Sequence, residues 1–90
     1  MLVDDHPAFR QGMAALVSNE PDLAVVAETG DGREALEIYR EKKPDVVLMD
    51  LRLPGIGGAE ATLTICKEFP DARIIILTTF DTDEDIYRAI

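Results

Sequence analysis

Asp50 closes a five-residue run, Val46-Val47-Leu48-Met49-Asp50, in which every other member is apolar. Such a run, after Lys43-Pro44-Asp45 and before Leu53-Pro54-Gly55, predicts a strand buried on both faces of a parallel sheet. A carboxylate at its C-terminal end stands where open α/β sheets place their ligands. A second short apolar run, Leu2-Val3, ends in Asp4-Asp5. Taken singly, these acids read equally well as solvated turn residues or helix caps. If the two strands are neighbours, three carboxylates meet at one point and repel each other unless a cation joins them. A hard cation, Mg2+ (or Mn2+), takes oxygen ligands and keeps waters, so two carboxylates and a backbone carbonyl suit it. The chemistry this implies is phosphoryl transfer: the cation neutralises the incoming group and one carboxylate, Asp50, attacks phosphorus to give an acyl phosphate. Thr78 ends a later apolar run at the same sheet edge, where its hydroxyl can hydrogen-bond a phosphoryl oxygen. β-propensity alone also accounts for a threonine there.

The elements that must position these residues alternate. A short strand over residues 1–3 leads to a helix begun by Pro7, with Phe9, Gly12, Met13, Leu16 and Val17 on one amphipathic face. Asn19-Glu20-Pro21-Asp22 stops it. Leu23 to Ala27 predicts a second strand. Asp31 caps a second helix, with Glu34 three residues on as in a capping box; Ala35, Leu36 and Tyr39 face the core, and Glu41-Lys42-Lys43-Pro44 ends it. After the strand to Asp50 and a Gly/Pro-rich loop from Leu53 to Gly58, Ala61, Ile65 and Phe69 mark a third helix. Residues 73–78 hold Ile74-Ile75-Ile76-Leu77, a fourth buried strand, and Thr82 caps a fourth helix bearing Ile86, Ala89 and Ile90. Strands alternating with helices at this spacing predict one doubly wound α/β domain over residues 1–90, with a parallel sheet and right-handed crossovers.

Composition narrows the function classes. The chain has 90 residues, 47% hydrophobic, and a net charge of −9. That charge disfavours direct contact with nucleic acid, which needs Lys and Arg to neutralise phosphates. Cys66 is the sole cysteine, so no internal disulfide forms, and it reads as a small helix residue. No apolar stretch approaches the ~20 residues of a membrane span, and no signal peptide is visible, which leads us to expect a cytoplasmic protein. His6, the only histidine, reads as a structural part of its turn rather than as a metal ligand or an acid–base group. Asp81, Asp83 and Asp85 fail as a calcium loop because Ile86 stands where glycine is needed; they read as acids at a helix N-terminus.

These pieces resemble a family. Leu2-Val3-Asp4-Asp5-His6-Pro7, Val46 through Gly55, and Ile76-Leu77-Thr78-Thr79-Phe80 together look like a response-regulator receiver domain, CheY-like and hence flavodoxin-like in fold. The Asp-Asp-His-Pro start followed by Phe9-Arg10-Gln11-Gly12 resembles the NarL/FixJ (LuxR-type) subfamily. The resemblance implies that Asp50 is the phosphorylated aspartate, and that Asp5 binds Mg2+ directly while Asp4 acts through water or as a second ligand. It further implies that the Arg52 backbone carbonyl completes the metal shell and that Thr78 is the switch hydroxyl. Arg52 and Phe80 would flank the path of the hydrolytic water and tune the lifetime of the phosphoryl group. A sensor histidine kinase or a small acyl phosphate would be the donor. The output would be transcription through a C-terminal helix-turn-helix domain that binds DNA.

The departures are as specific. Family members continue to a fifth strand, which carries a lysine, and a fifth helix; neither is in these 90 residues, and the domain is expected to be clipped at both ends. Gly57 stands where many relatives have Asp. The fourth strand is expected to be a sheet edge with an exposed apolar face, inviting aggregation or pairing with a second copy (a homodimer) or a supplied segment. Two other readings stand beside the phosphoacceptor. An aspartate-nucleophile phosphatase would need an acid two residues after Asp50, where Arg52 stands, so the chain is not expected to be an enzyme. An interaction module that no longer signals by phosphorylation is the alternative.

Overall fold

The computed structural model describes residues 1–77. They form β1 (Leu2–Val3), α1 (Pro7–Ser18), β2 (Glu28–Thr29), α2 (Gly32–Lys42), β3 (Val47–Asp50), α3 (Gly58–Glu68) and β4 (Ile74–Leu77). The expected fourth helix lies outside the described residues. The four strands make one parallel sheet in the order β2-β1-β3-β4. This is the doubly wound, flavodoxin-like order as far as it runs, with the reversal of winding between β1 and β3.

The core lies on one face of the sheet. Met1, Val3, Val47 and Met49 point to that face, as strand alternation requires, and pack with Ala35, Tyr39, Ala61 and Ile65. Ala35 and Tyr39 come from α2, and Ala61 and Ile65 from α3, so the helical periodicities read from sequence are those the core uses. Tyr39 and Phe69 meet at a ring-centroid distance of 4.8 Å, within the range of favourable tilted aromatic pairs.

Local sequence sets the ends of α2. Asp31 caps it, its Oδ1 accepting from the Arg33 amide at 2.8 Å. The expected capping box with Glu34 is bridged by a third residue. The Asp31 amide donates to Thr29 Oγ1 at 3.1 Å, and that hydroxyl donates to Glu34 Oε2 at 2.8 Å. At the other end Lys43 takes a left-handed conformation, φ 44°, with Pro44 following. Helices are commonly closed by one such residue, though glycine usually fills the place.

Three expectations are corrected. The second strand is Glu28–Thr29, not Leu23 to Ala27. β1 offers only Leu2 and Val3 as partners, and their register selects Glu28 and Thr29; Ala27 reaches the ladder only by accepting from the Leu2 amide at 3.0 Å. Second, α1 buries none of its residues fully, and Leu16 is 64% exposed. Among the described residues its apolar face lies mainly against the short β1. Third, the sheet is not buried on both faces: among the described residues Val46 and Ile75 are exposed on the α1 side, and Ile76, paired with Met49, is exposed on the core side of the outermost strand. The expected edge is present, since β4 is the last strand of the sheet among the described residues.

Candidate functional site

Leu2 pairs with Leu48, and Val3 with Met49. In a parallel pair this register brings the C-terminal ends of β1 and β3 level, so Asp4-Asp5 and Asp50 emerge side by side. Asp4 and Asp50 are buried, at 4% and 0% exposure, while Asp5 opens to solvent. One ligand atom from each of Asp4, Asp5, His6 and Asp50 lies within 4.8 Å of the other three. The convergence expected of the three carboxylates is therefore realised.

Two of the acids, Asp4 and Asp50, are held by the backbone around them. The Arg52 amide donates to Asp50 Oδ1 at 3.2 Å, and the His6 amide donates to Asp4 Oδ1 at 2.7 Å. These are turn contacts in which an aspartate bonds the amide two residues on, and they fix both carboxylates before any ligand arrives. Arg10, one turn into α1, donates from Nη1 to the Asp4 carbonyl at 2.8 Å and lies 3.4 Å from Glu28. It ties the exit of β1 to β2.

Asp4 Oδ2 is buried without a hydrogen-bond partner among the described residues. A buried carboxylate oxygen in that condition costs free energy that a cation would recover. The oxygen-rich donor set, half open through Asp5, fits a hard divalent cation.

Two residues stand closer to the site than the sequence reading placed them. Gly58 opens α3 against the turn after β3, its amide donating to the Leu51 carbonyl at 3.0 Å. A Cβ there would stand 2.0 Å from the Asp50 carbonyl oxygen, so only glycine lets α3 approach the backbone that carries Asp50. The signal was a glycine at the start of a helix, which also reads as plain loop chemistry. His6 is the second. Its Nδ1 lies 3.1 Å from Asp4 Oδ1, 3.2 Å from Asp5 Oδ1 and 3.6 Å from Asp50 Oδ2. Nothing in its spacing separates that position from an ordinary turn histidine.

Arg52 follows Asp50 by two residues with its side chain exposed. Thr78 and Phe80 lie outside the described residues. Gly57 is the N-cap of α3 and supplies no side-chain cap. Cys66 is a half-buried residue of α3. No described helix is long and apolar enough to cross a membrane.

Comparison with known proteins agrees with this geometry. Residues 1–90 match the family model of the response regulator receiver domain. The chain is 44% identical over 90 residues to the transcriptional regulatory protein LiaR of Bacillus subtilis, covering 100% of this chain and 43% of that protein. Among solved structures it is similar to a LuxR-family two-component response regulator from an Aurantimonas species. That match has a TM-score of 0.85 at 48% identity and covers 99% of this chain and 64% of the other. It is also similar to the response regulator TrrA of Thermotoga maritima, solved in complex with Mg(2+)-BeF. Here the TM-score is 0.80 at 32% identity, covering 98% of this chain and 71% of that one. The chain thus spans less than half the length of LiaR.

Proposed function

Because the chain belongs to the response-regulator receiver family of two-component systems, we propose that it accepts a phosphoryl group on Asp50 and passes that event on as a conformational change. The observation that carries this reading is the convergence of Asp4, Asp5 and Asp50 at the ends of adjacent parallel strands. Asp5, Asp50 and the Arg52 carbonyl would hold Mg2+ (or Mn2+), with Asp4 acting through water or as a further ligand. When bound, the ion supplies positive charge that offsets the carboxylates and the arriving phosphoryl oxygens.

The residues of the chain supply the rest. Asp50 is a nucleophile held still: the Arg52 amide fixes one of its oxygens, and its burial leaves little rotamer freedom to lose. A carboxylate oxygen forms the new O–P bond as the P–N bond of a donor phosphohistidine, or the P–O bond of a small acyl phosphate, breaks. The donor's imidazole or carboxylate departs with the electron pair. Asp5, at the open side, stands where the donor enters. Thr78 would then hydrogen-bond the phosphoryl oxygen, and Arg52 and Phe80 would set how readily water reaches phosphorus. The chain is consumed stoichiometrically by this step and is a phosphoacceptor, not a turnover enzyme.

The partner in this reading is a sensor histidine kinase acting in the cytoplasm. Transcriptional regulators such as LiaR support an output through DNA binding by a separate domain, and TrrA in complex with Mg(2+)-BeF supports the cation and phosphoryl geometry. The test is incubation with acetyl phosphate and Mg2+, read by intact mass. Gain of one phosphoryl group, lost with EDTA and in Asp50→Asn, is the expected result. An unmodified chain, or modification that survives Asp50→Asn, contradicts it and favours a non-phosphorylated interaction module.

A further inference from the structure

We propose that His6 is itself a ligand in the cation site, turning an all-oxygen set into a mixed nitrogen–oxygen set that prefers Zn2+ over Mg2+. The inference rests on the cation-site reading above and goes beyond it.

The geometry is that of donors around one centre. Ligands at about 2.0–2.1 Å from a cation sit about 2.9 Å apart at right angles and about 3.4 Å apart in a tetrahedron. His6 Nδ1 lies 3.1, 3.2 and 3.6 Å from one oxygen of Asp4, Asp5 and Asp50 respectively. All four donor atoms lie within 4.8 Å of one another, so the carboxylates would draw inward around an ion bound between them. The buried Asp4 Oδ2, lacking a hydrogen-bond partner among the described residues, independently marks the cluster as short of positive charge.

Local structure explains why the ring faces the carboxylates, with Nδ1 already in hydrogen-bond contact with Asp4 Oδ1. His6 occupies the N-cap position of α1, with φ −96° and ψ 102°, yet its side chain makes no cap hydrogen bond. Its own amide is fixed on Asp4 Oδ1, and Pro7 locks the next turn. The imidazole is thereby turned back toward the carboxylates. Imidazole suits Zn2+, Ni2+ and Cu2+, whereas carboxylates alone suit Mg2+ and Mn2+, so His6 shifts the selectivity of the site rather than creating it.

His6 is the sole histidine of the 90 residues, so in a tag-free chain the imidazole 15N signals report on it alone. Zn2+ and Mg2+ are titrated separately by calorimetry into the wild-type chain, His6→Ala and His6→Gln, with amide spectra confirming that each variant folds. The expected result is a loss of at least about tenfold in Zn2+ affinity in both variants, the scale on which even the partners of metal ligands matter. Mg2+ affinity should change by less than about twofold, since Mg2+ draws on the oxygens. The Nδ1 resonance should move on adding Zn2+ and stay in place with Mg2+. Equal changes for both ions, or tighter binding of both once the ring is gone, overturn the inference and leave the Mg2+ site standing. Failure of the wild-type chain to bind either ion overturns the site as well.

Discussion

Asp50 and Gly58 depend on each other across the turn that follows β3. Gly58→Ala would drive a methyl into the Asp50 carbonyl, and because the obstacle is backbone, relief requires α3 to retreat. The expected cost is about 2–3 kcal/mol, at the upper range of overpacking, with slower phosphorylation by acetyl phosphate because the acceptor moves. Chemical denaturation together with the phosphorylation rate checks both. Asp50→Asn acts in the opposite direction. Two unit charges about 4 Å apart at an effective dielectric near 20 repel by about 4 kcal/mol; Asp5, being open to solvent, is screened from much of this. In cation-free buffer Asp50→Asn should therefore raise the melting temperature, and Mg2+ should stabilise the wild type more than the variant. The three acids were legible in the sequence because each closes an apolar run. His6 and Gly58 were not, because their positions depend on which strand and helix become neighbours.

Among the elements, α3 has a local defect that one substitution can repair. Gly57 sits at its N-cap with no side chain to accept from the first turn, and a Cβ there would meet only the Leu51 carbonyl, at 3.7 Å. Gly57→Asp should stabilise the chain by a few tenths of a kcal/mol, the usual margin of an aspartate cap over glycine, measurable as a shift of the urea midpoint. Farther along, α3 is tied to α2 by a two-pronged ion pair, Arg40 Nε and Nη2 to the Glu68 carboxylate at 2.5 and 2.6 Å. The hydrogen bonds from Arg40 hold the Glu68 carboxyl below its ordinary range. A depressed folded-state value means the contribution is complete at neutral pH and fades as pH falls through the acid range. The stability gap between wild type and Glu68→Gln should accordingly narrow toward low pH, and also in high salt, because both partners are exposed. Helices α2 and α3 were legible because their apolar spacing serves a real core. The second strand was misplaced because Leu23 to Ala27 is apolar and β-prone, and propensity carries no information about how many residues β1 offers to pair.

At the scale of the whole molecule, the sheet works as a bracket. Four parallel strands set the ends of β1 and β3 level, α2 and α3 fill one face, and the site stands at the carboxyl edge where the winding reverses. The alternation of strands and helices made this architecture legible. The thin cover on the α1 side was not, because periodicity tells which face of a helix is apolar and not how much sheet lies beneath it. In the proposed function Asp5 and Asp50, with Asp4 beside them, form one cation-dependent phosphoacceptor site. The most direct measurement is the amide 1H–15N spectrum of the chain with Mg2+, before and after beryllofluoride, which mimics an aspartyl phosphate. Shifts centred on Asp4, Asp5, Asp50 and Arg52 are expected, requiring Mg2+ and vanishing in Asp50→Ala. A well-dispersed spectrum that beryllofluoride leaves unchanged would contradict the proposed function.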